Sequence, residues 1–233
     1  EDGKNGAGQV VILGGKSTNP EDLARYFLPN GKSELIVDEQ FGFIGDTFIV
    51  QDLLAQHFNI YTHNGNFRSK ISIHPEQSVV GAGFHVRKAF CMNEEKNRGF
   101  YASLSFPVLR VSNNMNLCEE VINDGGGAQQ QRPAFPNQIT DFDVQANMTE
   151  ALQQCNWNFG KISPCALKKT GVAELELKLG YEWLEREPYH LESYLGIKVP
   201  TGNKPNGEYL FEPVVGNGHH WGIMLGSALG VHV

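Results

Sequence analysis

Residues 172–184 read Val172-Ala173-Glu174-Leu175-Glu176-Leu177-Lys178-Leu179-Gly180-Tyr181-Glu182-Trp183-Leu184. Leu175, Leu177, Leu179, Tyr181 and Trp183 fall on one parity, and Glu174, Glu176, Lys178 and Glu182 on the other. Strand side chains alternate with period two, so this stretch is an amphipathic strand with an apolar stripe opposite a row of charges and one glycine. The pattern returns twice. From Tyr189 to Val199, Tyr189, Leu191, Leu195, Ile197 and Val199 oppose His190, Glu192, Tyr194, Gly196 and Lys198. From Trp221 to Val233, Ile223, Leu225, Leu229 and Val231 oppose Gly222, Met224, Gly226, Gly230 and His232. A tilted β-strand needs about 9–11 residues to cross a bilayer, whereas an average soluble strand has about five or six. Each of these runs is long enough to cross.

Working outward, Val80, Ala82, Phe84, Val86 and Phe90 alternate with Gly81, Gly83, His85 and Arg87, and Lys88 interrupts the apolar face near the strand end, where a long side chain can snorkel. After the polar turn Asn93 to Gly99, Phe100, Ala102, Leu104, Phe106 and Val108 alternate with Tyr101, Ser103 and Ser105, which predicts a hairpin with two long arms. The stretch from Ser112 to Thr170, rich in Asn, Gln, Gly and Pro, reads as a long loop with one helix around Asn147 to Cys155. Residues 1–79 give weaker signals. They include a strand at Gln9 to Leu13, a short helix from Asn19-Pro20, a turn at Pro29-Asn30-Gly31 and a strand from Phe67 to Ile73, while the run from Asp46 to Phe58 fits helix and strand equally. The domain expectation is an N-terminal segment of uncertain structure over 1–79 and barrel strands over 80–233, carrying the long loop 112–170.

Connections alternate short (Cys91 to Arg98), very long (Ser112 to Thr170), very short (Glu185 to Pro188) and medium-long (Pro200 to His219). One end of the sheet is thus trimmed and the other elaborated, as in outer-membrane barrels. Here the chain resembles Gram-negative outer-membrane β-barrels. The run Leu177-Lys178-Leu179-Gly180-Tyr181 through Gly196-Ile197-Lys198-Val199-Pro200-Thr201-Gly202-Asn203 is similar to barrel proteins related to the outer-membrane components of aromatic-compound degradation pathways. The resemblance covers about residues 80–233. It implies an all-β, antiparallel up-and-down transmembrane barrel in the bacterial outer membrane, with a transport or channel role for a small-molecule solute and membrane lipid as partner. The stretch ends at His232-Val233 without the terminal aromatic usual in such barrels. Bacterial barrels have an even number of strands from eight upward, so five assigned strands predict an incomplete portion of a barrel, or an open sheet edge at Trp221 to Val233.

Composition agrees with a β-rich chain. Its 233 residues are 40% apolar and 19% charged, with 26 glycines. No run of 18 apolar residues predicts a transmembrane helix, and a net charge of -7 argues against nucleic acid as a partner.

The polar faces supply the candidate site. Glu174, Glu176, Lys178, Glu182, His190, Glu192, Lys198, His220 and His232 are the expected lumen-lining residues, where charges set the field felt by a solute. Tyr181, Trp183, Tyr189 and Trp221 lie near strand ends, as interfacial aromatics do. The carboxylates 174, 176 and 182 read more simply as a solvated row than as an acid/base pair. Eight histidines occur, but no metal-ligand spacing accompanies them, so no metal or cofactor is expected. Gly14-Gly15-Lys16-Ser17 lacks the upstream glycine of a phosphate loop, because that position is Val10, and no nucleophile-elbow motif occurs. The chain does not read as an enzyme. Of four cysteines, Cys118, Cys155 and Cys165 fall in the long loop and Cys91 at the opposite sheet end, so one disulfide among the first three, or free thiols throughout, is the expectation. Asn147-Met148-Thr149 matches a glycosylation sequon, accidental in a bacterial setting. The main rival reading is a soluble β-sandwich or lectin-like binding module that uses the apolar faces as an inter-sheet core. A β-rich enzyme using the histidines is a weaker one.

Overall fold

A computed structural model describes residues 6–40, 42–44, 47–49, 51–93, 98–128, 144–186 and 189–231. In chain order the elements are β1 (Gly6–Lys16), α1 (Pro20–Phe27), β2 (Glu34–Asp38), β3 (Gly42–Ile44), β4 (Thr47–Ile49), β5 (Leu53–Leu54), β6 (Arg68–Ile73), β7 (Glu76–Asn93), β8 (Arg98–Asn114), β9 (Leu117–Asn123), α2 (Met148–Gln153), β10 (Leu167–Val172), β11 (Leu175–Arg186), β12 (Tyr189–Val199) and β13 (Gly222–Val231). Among the described residues the chain is mostly antiparallel β-sheet with two short α-helices.

The long amphipathic strands form one antiparallel sheet in the order β1-β7-β8-β11-β12-β13, with β10 paired to β8 beside β11. It is therefore six strands across. β1 pairs only with β7 and β13 only with β12, so both outer edges are open and the described residues do not close a barrel. The alternation read from sequence becomes two faces in register. Leu177, for example, lies between Leu104 and Ile197, and Leu195 lies between Leu179 and Leu225. These side chains remain in contact with solvent: Ile12 is 86%, Ile223 79%, Leu225 78% and Leu229 70% exposed. A β-sandwich would bury this face against a second sheet. No described element covers it, and none of its residues enters a buried cluster.

Two register changes depart from strict alternation. The segment 172–184 is one strand by pattern but two in the structure. Val172 pairs with Val108 and Glu176 with Ser105, one residue out of step, and the Ala173 N–H donates to the Pro107 carbonyl (2.9 Å) at the break. Pro107 has no N–H for the ladder, which is where a bulge is cheapest. A second shift separates Glu182 from Leu184, leaving Trp183 as the extra residue.

Residues 1–79 and 112–170 differ most from expectation. β1 is a full member of the large sheet. Its glycines Gly6, Gly8 and Gly14 share the apolar parity with Val10 and Ile12, which masks the alternation. The stretch 112–170 is no single loop, because β8 runs to Asn114 and the segment also supplies β9, α2 and β10. The order β5-β2-β6-β9 forms a second sheet, with Leu35, Val37, Ile71, Phe67, Ile60 and Met148 at the centre of its core. Both helices start where predicted. Asn19 Oδ1 accepts from the Asp22 N–H (3.4 Å), and Asn147 Oδ1 from the Glu150 N–H (2.8 Å). Glu119 on β9 receives the N–H groups of Met148 and Thr149 (2.9 and 2.7 Å), tying α2 to the second sheet.

The connections 17–75, 115–166 and 200–221 all leave the same end of the large sheet, and their described residues fold together. Ala24, Ile73, Met115 and Ile162 share a core with Phe211 at its border, and the rings of Phe27 and Phe211 meet at 5.2 Å. The elaborated end is thus one folded cap. Among the described residues, most of the buried apolar side chains lie in it.

Candidate functional site: the polar face of the large sheet

The polar face is built from rows of residues that pair across strands. One row runs Tyr101, Gly180, Tyr194, Gly226 from β8 to β13. Each tyrosine lies over the glycine beside it. A Cβ on Gly180 would collide with the Tyr101 ring, and one on Gly226 would come within 2.5 Å of Tyr194. The glycines on this face therefore leave room for flat-lying rings, a known way of rescuing a glycine in a sheet.

The next row places Glu182 directly opposite Glu192. Like charges facing across strands are destabilising. Arg87, from β7, resolves the conflict by reaching across the Tyr101 ring, with its guanidinium carbon 3.6 Å from the ring centroid, to donate to both carboxylates: Glu182, and Glu192 at 2.8 Å. Tyr101 and Glu182 are 3% and 5% exposed, so the pair and the cation–π contact lie in a partly desolvated setting. His190 Nε2 sits 3.4 Å from Glu192 and His85 Nδ1 lies 2.7 Å from the Ser105 hydroxyl, which extends the network along the face.

A second cluster lies toward the cap. Lys198 contacts Glu174 (3.0 Å) and Glu176 (2.7 Å), Lys178 contacts Glu176 (3.2 Å), and the Lys178 ammonium stands 5.2 Å from the Tyr194 ring centroid. Each charge here has an opposite neighbour. Glu176, Lys178, Glu182, His190, Glu192 and Lys198 all lie on the predicted face, and Glu174 joins them from the break between β10 and β11. His220 is different: it is exposed in the segment before β13, its carbonyl accepting from Asn217 Nδ2 (2.5 Å). His232 lies outside the described residues. Sequence reading put Arg87, Tyr101 and Tyr194 on the polar parity without assigning them a role. The signal for Arg87 was present, as a lone cation among Gly, His and Ser on a face that carries two unpaired glutamates further along.

On the apolar face, Phe90, Phe100, Tyr181 and Trp183 form a contact chain across β7, β8 and β11, with successive ring centroids 6.1, 4.8 and 4.8 Å apart. The Trp183 Nε1–H donates to the Ser193 hydroxyl (3.1 Å). Tyr189 lies at this same, short-turn end. Trp221 precedes Gly222, which pairs with Lys198, and so marks the cap end.

The disulfide expected among Cys118, Cys155 and Cys165 is not formed. All are exposed free thiols, as is Cys91; Cys118 lies on β9, Cys155 two residues beyond α2 and Cys165 two residues before β10. Among the described residues no group of three or more His, Cys, Asp or Glu side chains is arranged to hold a metal ion.

Comparison with protein-family models, curated proteins and solved structures returns no match.

Proposed function

We propose that this chain builds the wall of a transmembrane β-barrel in a bacterial outer membrane, with its apolar face against lipid and its Arg87–Glu182–Glu192 face lining a passage for small solutes. The observation that carries the reading is the two-sidedness of the large sheet. One face exposes Ile12, Leu195, Ile223, Leu225 and Leu229, which no described element covers, and the other is satisfied by ion pairs and hydrogen bonds. An exposed apolar surface of this extent marks a protein or membrane contact. Aromatic side chains bound the face at both ends, as they do at bilayer interfaces, and the short-turn and elaborated ends match the two sides of an outer-membrane barrel. The resemblance of residues 80–233 to such barrels points the same way. The role of the chain is conduction, not catalysis.

The test is refolding into lipid vesicles, using single-tryptophan variants that keep Trp157, Trp183 or Trp221. Bromine placed near the lipid headgroups is expected to quench Trp183 and Trp221 but not Trp157 in the cap, and the vesicles to become permeable to small sugars. A chain that folds fully in buffer without detergent, with all three tryptophans unquenched, would overturn the proposal.

A further inference from the structure

The connection between β12 and β13 does not stand out into solvent. Val215 is 1% exposed and packs on Val111 and Ala173, with Val79 and Leu109 at the border of the cluster. Register puts Val111, Leu109 and Val79 on the same parity as Tyr101 and Arg87, which is the polar side of the sheet. A Cβ on Gly171, which pairs with Leu109, would lie 3.8 Å from Val215. The connection therefore folds back over the wall.

Its fit is specific. Gly216 has φ +84°, and a Cβ there would collide with the Ala173 carbonyl; a Cβ on Gly202 would collide with the carbonyl of Val215. Asn203 closes the loop on itself, its Oδ1 accepting from the Val215 N–H (2.7 Å) and its Nδ2 donating to the Pro213 carbonyl (3.1 Å). Asn113, 2% exposed on β8, then fastens the loop to the wall: its Nδ2 donates to the Glu212 carbonyl (3.0 Å) and its Oδ1 accepts from Gln77 Nε2 (3.0 Å). A buried amide is tolerated only with its hydrogen bonds made, so this tether opposes release of the loop. Between the loop and the wall remains an open cleft of about 430 Å³, lined by Val79, Leu109, Glu174 and Lys198 of the wall and by Val214 and Asn217 of the loop. That volume lies at the low end of the range of about 300–1,000 Å³ seen for small-molecule sites.

We propose that segment 200–221 is the fixed constriction of the passage, seated at its cap-end mouth, and that the cleft beside Leu109 sets the size limit for solutes. This rests on the conducting role proposed above. Asn203 and Asn113 are positioning residues, which hold the aperture by holding the loop.

The experiment uses the full chain in vesicles, with its four cysteines changed to serine, and sugars of graded size. Asn203→Ala is expected to admit larger sugars than the parent does. Leu109→Trp, which fills the cleft, should slow the smallest sugar at least tenfold, while Val108→Trp on the opposite face leaves permeation unchanged. If the parent conducts and all three variants show its size dependence, the constriction is wrong. The seat of the loop is read separately by the rate at which a charged thiol reagent modifies Val79→Cys. At least tenfold faster modification is expected with Asn203→Ala than without it, and equal rates would overturn the proposal. A parent that admits no sugar yet shows this acceleration would remove the conducting role and leave the loop seated over the wall.

Discussion

If the proposed barrel reading holds, an arginine placed along β12 measures where the membrane would lie. Tyr189 and Val199 bound this strand and are ten residues apart. At about 3.4 Å per residue and a tilt of about 40°, that distance carries the strand roughly 26 Å along the bilayer normal, close to the apolar band of about 25 Å in outer-membrane barrels. Leu195, 55% exposed on the apolar face, then sits within roughly 3 Å of the midplane, and Leu191 about 5 Å inside the rim marked by Tyr189. Leu195→Arg is expected to cost about 2–4 kcal/mol and Leu191→Arg about 1, since the penalty for a cation falls from midplane to interface. Met224→Arg is the control. Met224 lies on the polar face, its methyl group beside Gly196 and near Lys178, so a cation there should cost less than about 1 kcal/mol. Urea titration of the three variants folded in vesicles gives the costs as differences in unfolding free energy. Equal costs at 191 and 195 would refute the depth argument. A Met224→Arg variant as damaged as Leu195→Arg would refute the two-faced assignment itself.

Three further outcomes follow from the contacts. Arg87→Met should destabilise the folded chain by about 2–3 kcal/mol, because it leaves Glu182 and Glu192 facing each other unpaired, and adding Glu192→Gln should recover most of the loss; a double variant no better than the single would show that the carboxylate pair is not the cause. In the cap, burial raises the Asp52 pKa but bonds from Lys32 and the Ile36 N–H (3.0 Å) outweigh it, so the folded value is held below the ordinary one of 3.8; the stability this supplies is complete above that pH and is lost as pH falls through the depressed folded value. Acid unfolding followed by Trp157 fluorescence should therefore lose part of its pH dependence in Asp52→Asn, and an unchanged profile would contradict this. Finally, hydrogen exchange of the chain in detergent should alternate between fast and slow amides along β1 and β13, whose outer edges are open, and be slow throughout β8 and β12; uniform protection along β13 would reveal a strand paired to its outer edge.

What could be read from sequence was whatever repeats with period two. The faces of β7, β8, β11, β12 and β13 follow from alternation alone, because a one-residue slip would exchange each strand's apolar set for its glycines, serines and charges. The bulges were not legible. Trp183 keeps its ring contact with Tyr181 and its hydrogen bond to Ser193 despite the extra residue, so the sequence around it shows no break, and the one at Ala173 depends on Pro107 across the sheet. The cap was hidden for a different reason. Its strands are short, its two helices bury one or two residues each, and its core is assembled from three connections far apart in the chain, so no single segment carries an adequate apolar pattern. At the site, the glutamates and lysines were found by parity, but the Arg87 bridge needed the register that brings Glu182 opposite Glu192, which no local pattern encodes.

The two halves of the molecule obtain their order from different sources. The cap has a conventional apolar core, whereas the large sheet buries little of its own apolar surface and depends on its backbone ladder and on the ion pairs of one face. On the proposed reading every backbone N–H and C=O inside a bilayer needs a partner, so the outer edges of β1 and β13, unpaired among the described residues, would become paired in the vesicles where the chain conducts, in contrast to the alternating exchange expected in detergent. Because the sheet is six strands across and antiparallel, β1 and β13 run in opposite directions. An even number of additional antiparallel strands therefore closes the sheet without any parallel pairing, and two are enough to reach the eight of the smallest bacterial barrels. The closing strands would have to continue the rows already present: apolar side chains beside Leu225 on the outer face, and small or polar ones beside Gly222, Gly226 and Gly230 on the inner.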